Sequence, residues 1–429
     1  MRYEPISSSL FSARRNAFAK LMKKNAIAVF FSNDEMLRSG DQTYPFHQQP
    51  DLFAMSGLDQ PGSALVLNPG AVDPHHRVLA FILPTDPHHT TWNGKRYSKA
   101  EARKVSGIHS IYTTHQWKRI ITPLIASARM IYVNSTMKEN PMLKLTDQNQ
   151  RKAFGLQQEW PGKQFLSSKP LLEKLMMVKN PIEINLMKRA VGITGKAFEA
   201  ILPMVKPGMK EYELEAELTR IIIGSGGQHA FQPIIASGKS ACTLHYVSND
   251  SVLRPGTLTL LDFGAQYAYM NADMSRTIPV SGRFTRQQKV IYLEVLNMLN
   301  MVTDLMRPGI TLAELNKETG KMMDAALIRL KLLARNDIRR QDPSRPLRRK
   351  YFMHGVSHHL GWNVHDQYEK DAPLKSGMVL TCEPGLYIPE EKTGIRLEND
   401  ILITRGQPIN LMENIPIDPE EIEDLMNRI

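Results

Sequence analysis

The sequence predicts an α/β N-terminal domain over residues 1–170 and an α+β C-terminal domain over residues 171–429 that contains an internal pseudo-two-fold duplication. Two observations predict this architecture. In the first part of the chain, β-type runs alternate with helical patterns. In the second part, between about residues 180 and 410, one motif occurs twice: a basic residue, then a glycine, a β-type run and an acidic residue. Two similar halves that face each other are therefore expected.

The first domain contains four runs of strand-forming residues. They predict strands at Ala26–Phe31, Ser63–Leu67, Val78–Leu83 and Met130–Val133. A basic amphipathic stretch over 13–25 precedes them, and helical patterns over 98–105 and 115–127 alternate with them. No glycine-rich phosphate loop follows any of these runs, so a nucleotide site is not expected. The polar segment 147–170 is the predicted boundary between the domains.

Composition favours an ordinary globular protein, with 42% apolar and 23% charged residues and a length sufficient for two or three domains. The longest apolar run, Ala26–Phe31, is far too short to span a membrane, and the N-terminus lacks the apolar region of a signal peptide. Cys242 and Cys382 are the two cysteines, a number that fits a reducing compartment. A cytoplasmic protein without a membrane partner is expected.

The formal net charge of +11 raises the question of nucleic-acid binding. Much of this charge lies in one segment, 329–350, which holds nine basic residues against Asp337 and Asp342. Surfaces that bind single strands interleave aromatic side chains with the charge, and this segment contains none. We interpret it as a solvated helix end and loop, and no nucleic-acid partner is predicted.

Four carboxylates occupy matched positions in the duplicated part. Asp262 follows Gly256, and Glu383 follows Gly377, by the same six positions. A second strand follows each of them and carries its own acid, Asp273 or Glu398. Because neighbouring residues of a strand face opposite sides of the sheet, the acids of each pair can converge only across a hairpin. The segments 267–270 and 389–394 would provide the chain reversals.

Helix starts repeat as well. Lys206-Pro-Gly208 and Arg307-Pro-Gly309 are breaks that each precede an amphipathic helical pattern. Asn180-Pro181 is predicted to open the first helix of the second domain, with the asparagine as N-cap and the proline at the first helical position.

The surroundings of these four acids indicate that they bind metal rather than occupy exposed positions on surface strands. All four lie beside long apolar runs, where an unpaired carboxylate would cost several kcal/mol and therefore requires a cation. The segment 354–365 offers nitrogen ligands, with four histidines at positions 354, 358, 359 and 365. A zincin motif is excluded because its glutamate is absent. One histidine with four carboxylates is an oxygen-rich set that suits two Mn²⁺ or similar ions better than one Zn²⁺.

The motifs resemble the five-ligand signature of the pita-bread metallopeptidases, which include methionine aminopeptidases, prolidases and Xaa-Pro aminopeptidases. The matching residues are Asp262 with Asp273, Gly355-x-Ser-His358, Glu383-Pro-Gly385 and Gly394-Ile-Arg-Leu-Glu398. The stretch Arg38-Ser-Gly-Asp41-Gln-Thr-Tyr44-Pro-Phe46-His-Gln48-Gln-Pro-Asp51 is similar to the N-terminal domain of aminopeptidase P, which methionine aminopeptidases lack. The resemblance implies a pita-bread fold for the second domain.

The resemblance also implies residue roles. Asp273 and Glu398 would bridge two metal ions, Asp262 would complete one site, and His358 with Glu383 would complete the other. His245, His354 and His365 match the substrate-side histidines of the family, while Tyr387 and Arg396 match groups that support the ligands. Two departures, Tyr368 where the family usually has glycine and the reduced aromatic cluster after Asp51, concern substrate preference.

The expected activity is release of the N-terminal residue from peptides with proline in second position. A hydroxide bridging the two ions would attack the carbonyl, Glu383 would carry the proton to the leaving nitrogen, and His245 and His365 would bind carbonyl oxygens. Two alternatives stay open. One is a prolidase, which accepts only dipeptides, and the other is a binding protein that kept the fold and lost the chemistry.

Two further predictions concern Cys382 and Trp92. Cys382 should point into the core, because it neighbours Glu383 on a strand. Trp92 is predicted on a loop, where it either folds back on its own domain or anchors a subunit contact. The resemblance to aminopeptidase P implies a homodimer or homotetramer.

Overall fold

The computed structural model describes residues 3–134 and 147–428, and the chain divides into two compact units, Tyr3–Leu175 and Met176–Ile429. The boundary predicted after residue 170 lies within the helix Lys169–Met176. Among the described residues, every helix is too short or too polar to cross a bilayer.

The first unit is built on one mixed sheet. Its helices and strands are α1 Ser8–Leu21, β1 Ala26–Phe31, β2 Leu37–Ser39, β3 Gln42–Thr43, α2 Pro50–Ser56, β4 Ala64–Leu67, β5 Val78–Ile82, α3 Pro87–Asn93, α4 Lys99–Ser106, β6 Ser110–Thr113, α5 Trp117–Ser127, β7 Met130–Val133, α6 Gln148–Glu159, β8 Gln164–Ser167 and α7 Lys169–Met176. Six strands form the sheet in the order β6-β5-β4-β1-β7-β8, with β4 antiparallel to β1 and β5 and the other pairs parallel.

The buried strand β1 lies inside this sheet, and all six of its residues are buried. Its side chains Ile27 and Val29 pack in a core cluster with residues of β4, β5, β7, α5 and α6. A strand covered on both faces reads as a continuous apolar run, which is why the sequence predicts β1 and β7 with the observed bounds.

The segment 147–170, predicted as the boundary region, contains helix α6 and strand β8. Asp147 caps α6 through a reciprocal capping box with Gln150, and Ala153 and Leu156 are buried on one face of that helix. Strand β8 pairs with β7 at the edge of the sheet and is half exposed. An edge strand and a helix with a narrow apolar face both carry many polar residues, which hides them from a composition argument.

Trp92 belongs to helix α3 rather than to a loop, because Asp86 caps this helix and Pro87 occupies its first position. Its side chain is 75% exposed and touches His88 at a ring-centroid distance of 6.2 Å. Within the described part of the first unit, Trp92 therefore does not fold back into the core.

The described part of the second unit contains two pairs of long helices, two short helices and several small antiparallel sheets. Its first half contains α8 Pro181–Ile201, α9 Glu211–Gly224, β9 Gln228–His229, β10 Ile234–Ser237, β11 Leu258–Phe263, β12 Ala265–Tyr267, β13 Met270–Asn271 and β14 Met274–Pro279. Its second half contains α10 Arg286–Leu305, α11 Leu312–Arg329, α12 Arg335–Arg340, β15 Val379–Cys382, β16 Gly385–Ile388, β17 Thr393–Arg396, β18 Asn399–Leu402, β19 Ile409–Asn410 and, at the end, α13 Pro419–Met426.

The predicted duplication is confirmed. In each half, two helices precede an outer antiparallel strand pair, β11 with β14 or β15 with β18, and a short inner hairpin, β12–β13 or β16–β17, connects the two outer strands. Gly256 and Gly377, which begin the two repeated motifs, have φ angles of +77° and +92°. Glycine is favoured there because other residues rarely adopt a positive φ.

The basic segment lies after α11 and is largely exposed, as predicted for a solvated helix end and loop. Some of its charge is neutralised by ion pairs with other elements. Arg329 pairs with Glu294 of α10, Arg348 with Asp324 of α11, and Lys350 with Glu390.

Candidate metal centre

The first pair of acids lies where β11 and β14 meet the inner hairpin. Asp262 is in β11 opposite Ser275 of β14, and Asp273 immediately precedes β14. The reversal between β12 and β13 uses Ala268 and Tyr269, whose φ angles of +52° and +68° make a tight turn. Asp262 is 8% and Asp273 is 5% exposed, so both carboxylates are largely removed from water.

The second pair of acids occupies the same place in the second half. Cys382 at the end of β15 pairs with Asn399 at the start of β18, so Glu383 and Glu398 are the next residues beyond this last pair. Glu398 is 2% exposed. Cys382 points the other way, as predicted, because its thiol is fully buried and approaches the carbonyl oxygen of Leu299 in α10 at 3.7 Å.

The two halves converge on one histidine. Asp273, His358 and Glu398 each offer a ligand atom, and these three atoms lie within 4.8 Å of one another. His358 Nε2 lies 3.4 Å from Asp273 Oδ2 and 3.7 Å from Glu383 Oε1. Each half thus contributes carboxylates to the same small volume, as the hairpin argument requires.

Hydrogen bonds fix His358 in the form that a metal ligand needs. Its Nδ1 lies 3.1 Å from the carbonyl oxygen of His359, and since a carbonyl only accepts, Nδ1 carries the proton. The other ring nitrogen, Nε2, faces the acids. The backbone N–H of His358 donates to Thr381 Oγ1 at 3.0 Å, which fixes the main chain at this residue as well. This arrangement is typical of metal-binding histidines.

Without a cation the carboxylates oppose one another. Burial, followed by repulsion from Glu398, raises the pKa of Glu383 to about 8. Burial and the neighbouring acids also raise the pKa values of Asp273 and Glu398. Asp262 Oδ1 is buried with no hydrogen-bond partner among the described residues. A buried acceptor without a partner beside several acids fits divalent cations, so this donor set suits the ions that the sequence predicts.

Arg396 connects the acids to the histidines. It pairs with Asp262, donates from Nε to Ser275 Oγ at 2.8 Å and from one terminal nitrogen to the Tyr387 hydroxyl at 2.9 Å. Ser275 in turn donates to Glu398 Oε2 at 2.7 Å. Arg396 is 5% exposed, so its fixed charge offsets part of the repulsion among the acids.

Tyr387 holds His354. Nδ1 of His354 faces the carbonyl oxygen of Gly355 at 2.8 Å, so Nδ1 donates and Nε2 accepts from the Tyr387 hydroxyl, 2.8 Å away. Burial and the charge of Arg396 lower the pKa of His354 to about 4, which keeps the ring neutral. His354 Nδ1 also lies 3.7 Å from Glu383 Oε2.

The acids form the floor of a cavity of about 800 Å³. Its walls carry the three histidines predicted on the substrate side, His245, His354 and His365, together with apolar side chains such as Phe231 and Leu244. The His365 ring meets the His358 ring edge-on at a centroid distance of 4.5 Å. All the side chains predicted as ligands or substrate contacts therefore line one cavity of a size usual for small-molecule and peptide sites.

Comparison with known proteins agrees with this geometry. Residues 185–405 match the family described as "Metallopeptidase family M24", and residues 11–132 match "Aminopeptidase P, N-terminal domain". The Xaa-Pro aminopeptidase of Escherichia coli K12 is 32% identical, with 98% of each chain covered. The chain belongs to metallopeptidase family M24.

Other members of family M24 extend the comparison. Human Xaa-Pro aminopeptidase 3 is 29% identical, with 99% of this chain and 87% of that protein covered. A putative aminopeptidase P from Bacillus anthracis superposes with a TM-score of 0.90 at 32% identity, with 98% of each chain covered. Aminopeptidase P from E. coli with the inhibitor Pro-Leu superposes with a TM-score of 0.87 at 31% identity, with 99% of each chain covered. The predicted pita-bread fold and metallopeptidase class are confirmed.

Sequence reasoning missed several residues that hold this M24 site in place. Ser275 connects Arg396 to Glu398, and Thr381 fixes the backbone of His358. Glu211, at the start of α9, accepts hydrogen bonds at 2.9 Å from the Tyr246 hydroxyl and the Ser251 N–H, on both sides of the loop that follows His245. A helix-opening glutamate is usually exposed, so no local signal distinguishes this one.

Proposed function

We propose that this protein is a metal-dependent aminopeptidase that releases the N-terminal residue from peptides with proline in second position. One observation carries the proposal: four carboxylates and one histidine meet at the floor of an open cavity whose walls carry three further histidines. The relatives named Xaa-Pro aminopeptidase, which match this chain over nearly its whole length, support the same activity.

Five side chains would hold two divalent ions: Asp262, Asp273, His358, Glu383 and Glu398. We propose Mn²⁺, because four of the five donors are carboxylates. Carboxylates suit hard cations such as Mn²⁺, whereas Zn²⁺ prefers sites with softer nitrogen and sulfur donors. When bound, such ions lower the pKa of water and so supply a nucleophile near neutral pH.

Glu383 is proposed to move the proton. It lies at the cavity floor within 3.7 Å of both His354 and His358, and its side chain is 17% exposed, so substrate can reach it. Its pKa, raised by burial and by Glu398, lies near the pH at which a general acid–base residue works well. The nitrogen of a bond to proline carries no hydrogen and leaves only when a proton is delivered to it.

His245 and His365 are proposed to bind the carbonyl oxygens of the substrate. Burial and the neighbouring His358 and His245 lower the pKa of His365, so its ring is neutral and can donate one N–H. A donor aimed at the oxygen that gains negative charge stabilises the transition state, typically by about 10²- to 10³-fold in kcat.

The activity is tested with peptides that differ at one position. The protein is stripped with a chelator, and Xaa-Pro-Xaa tripeptides, Xaa-Pro dipeptides and Xaa-Ala-Xaa control peptides are assayed before and after addition of Mn²⁺. Only the peptides with proline second should be cleaved, the tripeptide included, and only with metal. Cleavage of the dipeptide alone would identify a prolidase. If no peptide released its N-terminal residue upon metal addition, the proposed enzyme activity would be refuted.

Two broader proposals accompany this function. A homodimer or homotetramer is proposed from the exposed apolar side chains of the first unit, Leu37, Tyr44 and Trp92, which are 72%, 55% and 75% exposed. Light scattering on wild type and Trp92→Ala tests it, and a monomeric wild type refutes it. A cytoplasmic location is proposed because Cys242 and Cys382 are both free thiols.

A further inference from the structure

The loop that carries His365 is fastened to the segment that opens helix α8. This loop, residues 359–368, begins directly after His358 and returns over the cavity wall with Asn363, Val364 and His365 lining the cavity. The opening segment, residues 176–183, contains Lys179 and Glu183, both buried. Neither residue lines the cavity.

Lys179 and Asp366 form an ion pair that is closed to solvent. Nζ lies 2.9 Å from Asp366 Oδ2, and the side chains of both residues are 0% exposed. The ammonium also donates to the carbonyl oxygen of Met176 at 2.9 Å. A buried pair of this kind is weak evidence for stability, but removing one partner leaves a buried charge and is strongly unfavourable. The pair therefore fixes the position of Asp366, the neighbour of His365.

The backbone of the loop lies directly on this ion pair. A Cβ atom added to Gly361 would lie 2.3 Å from Asp366 Oδ2 and 2.5 Å from Lys179 Cε, so only glycine fits there. Asp366 Oδ1 accepts from the Asn363 side chain at 3.3 Å, and the Asp366 N–H donates to the carbonyl oxygen of His359 at 2.8 Å. The loop thus closes on Asp366.

A second contact fastens the same loop one turn further along α8. The indole N–H of Trp362 donates to Glu183 Oε1 at 2.9 Å, and both side chains are buried. Lys179 is also held by the turn that precedes β15 and Glu383, since its backbone N–H donates to the carbonyl oxygen of Gly377 at 2.8 Å. The opening segment of α8 therefore contacts the loop of His365 on one side and the residues that precede Glu383 on the other.

We propose that Lys179 is a positioning residue that acts through Asp366 to hold the His365 ring against His358 and toward the bound peptide. This inference rests on the proposed role of His365 in binding a substrate carbonyl. Lys179 touches neither substrate nor metal ligand, so its effect passes through the placement of the loop. Because a displacement of about 1 Å from reactive geometry can cost about 10²-fold in rate, a rigid anchor at this position matters for turnover.

A double-mutant cycle on kcat tests the inference. Lys179→Met removes the charge while keeping the length of the side chain, and it is combined with His365→Ala in the Mn²⁺-loaded protein. Lys179→Met should lower kcat by about 10- to 100-fold with KM changed less than about 3-fold. In the His365→Ala background the same change should cost less than about 2-fold. An equal loss in both backgrounds, or no loss in the first, overturns the proposal.

Two further variants keep the test decisive. Trp362→Phe removes the hydrogen bond to Glu183 together with part of the buried ring, and it serves if Lys179→Met does not fold. The same non-additivity with His365→Ala is expected at smaller size, and full additivity overturns the proposal. Lys321→Met is the matched control, because Lys321 forms an exposed ion pair with Glu318 on α11. This control should leave kcat, KM and Tm unchanged.

Hydrogen exchange supplies a readout that does not depend on activity. In the metal-free protein, Lys179→Met should speed exchange of the Asp366 amide and of the peptide covering 359–368, while peptides of β11 stay protected. Unchanged exchange in 359–368 overturns the anchoring. If His365→Ala leaves kcat at the wild-type value, the proposed function of His365 falls, whereas the exchange data still decide whether Lys179 holds the loop.

Discussion

The two halves of the second unit share a plan but differ in how they use it. Both place two helices before an outer strand pair with an inner hairpin, and both place one acid at the end of the first outer strand and one before the second. The residue paired across the strands with the first acid of each half differs. Opposite Asp262 lies Ser275, whereas Glu383 and Glu398 are the next residues beyond the last pair of β15 and β18. Ser275 instead holds the acid of the other half, Glu398.

The connections before the outer strands differ more. From α9 to β11 the first half contributes His245, and Glu211 of the same half anchors this loop. From α11 to β15 the second half has a longer connection, which contributes His354, His358 and His365. Its anchors for His365, Lys179 and Glu183, belong to the first half. The second half thus provides the proposed nitrogen ligand and two of the three cavity histidines predicted on the substrate side, and the first half holds the loop that carries one of them.

The largest effect is expected from removing Glu383, the acid that we propose to serve both as metal ligand and as proton carrier. Glu383→Ala should lower kcat by about 10³-fold or more, since general acid–base catalysis alone contributes about 10²- to 10⁴-fold. Steady-state kinetics on a tripeptide with saturating Mn²⁺ measure it. A variant with near wild-type kcat would contradict the assignment of Glu383 as metal ligand and proton carrier.

A smaller effect is expected where the two halves are joined. Ser275→Ala removes the hydroxyl that accepts from Arg396 and donates to Glu398, so the affinity for Mn²⁺ should fall by about 10- to 100-fold, as is usual for groups that orient metal ligands. Isothermal titration of the stripped protein measures this affinity. Thr277→Ser, at the next position on the same face of β14, serves as a conservative control and should bind Mn²⁺ like the wild type.

The metal-free protein should lose stability as pH rises. Folding raises the pKa of Glu383 from an ordinary value near 4.5 to about 8, and it raises those of Asp273 and Glu398. The stability linked to these protons is present below pH 4.5 and is lost as pH increases toward 8. One proton amounts to about 1.4 kcal/mol per pH unit, so Tm should fall by at least about 2 °C per unit.

Differential scanning calorimetry of the stripped protein between pH 5 and 8 follows this loss, and Mn²⁺ should reverse it most strongly at the upper end. A Tm that stays constant or rises over this range without metal would contradict the crowding of acids between the two halves.

The smallest effect is expected at Cys382. The thiol faces α10 rather than the acids, and burial raises its pKa to about 12, so it is neutral and chemically inert. Cys382→Ala should cost about 1 kcal/mol of unfolding free energy and leave kcat and Mn²⁺ affinity unchanged. A loss of metal binding in the folded variant would mean that the strand faces the other way.

The sequence predicts the parts of this structure whose information is local. The apolar runs of β1 and β7 are continuous because both strands are buried, and the repeated motifs ending in Asp262 and Glu383 mark equivalent strands. Long-range pairing is different. Lys179 and Asp366 are 187 positions apart, and a lysine before a helix normally faces solvent, so nothing nearby in the sequence indicates its burial.

The edge strand β8 and the exposed Trp92 were missed or misplaced for a related reason. β8 is half exposed, so its composition resembles that of a loop, and α3 is a seven-residue helix whose polar sequence lacks an apolar face. Short and exposed elements depend on capping and pairing rather than on periodicity, which leaves little pattern to read.

We propose that the two halves jointly bind two metal ions, and anomalous diffraction from crystals soaked in Mn²⁺ tests this binding. Two anomalous peaks per chain are predicted. Asp273 and Glu398 should contact both ions, Asp262 should complete the coordination of one, and His358 with Glu383 that of the other. A single ion held by the residues of one half, or ions bound elsewhere in a protein that cleaves the tripeptide, would contradict a metal centre shared by the two halves.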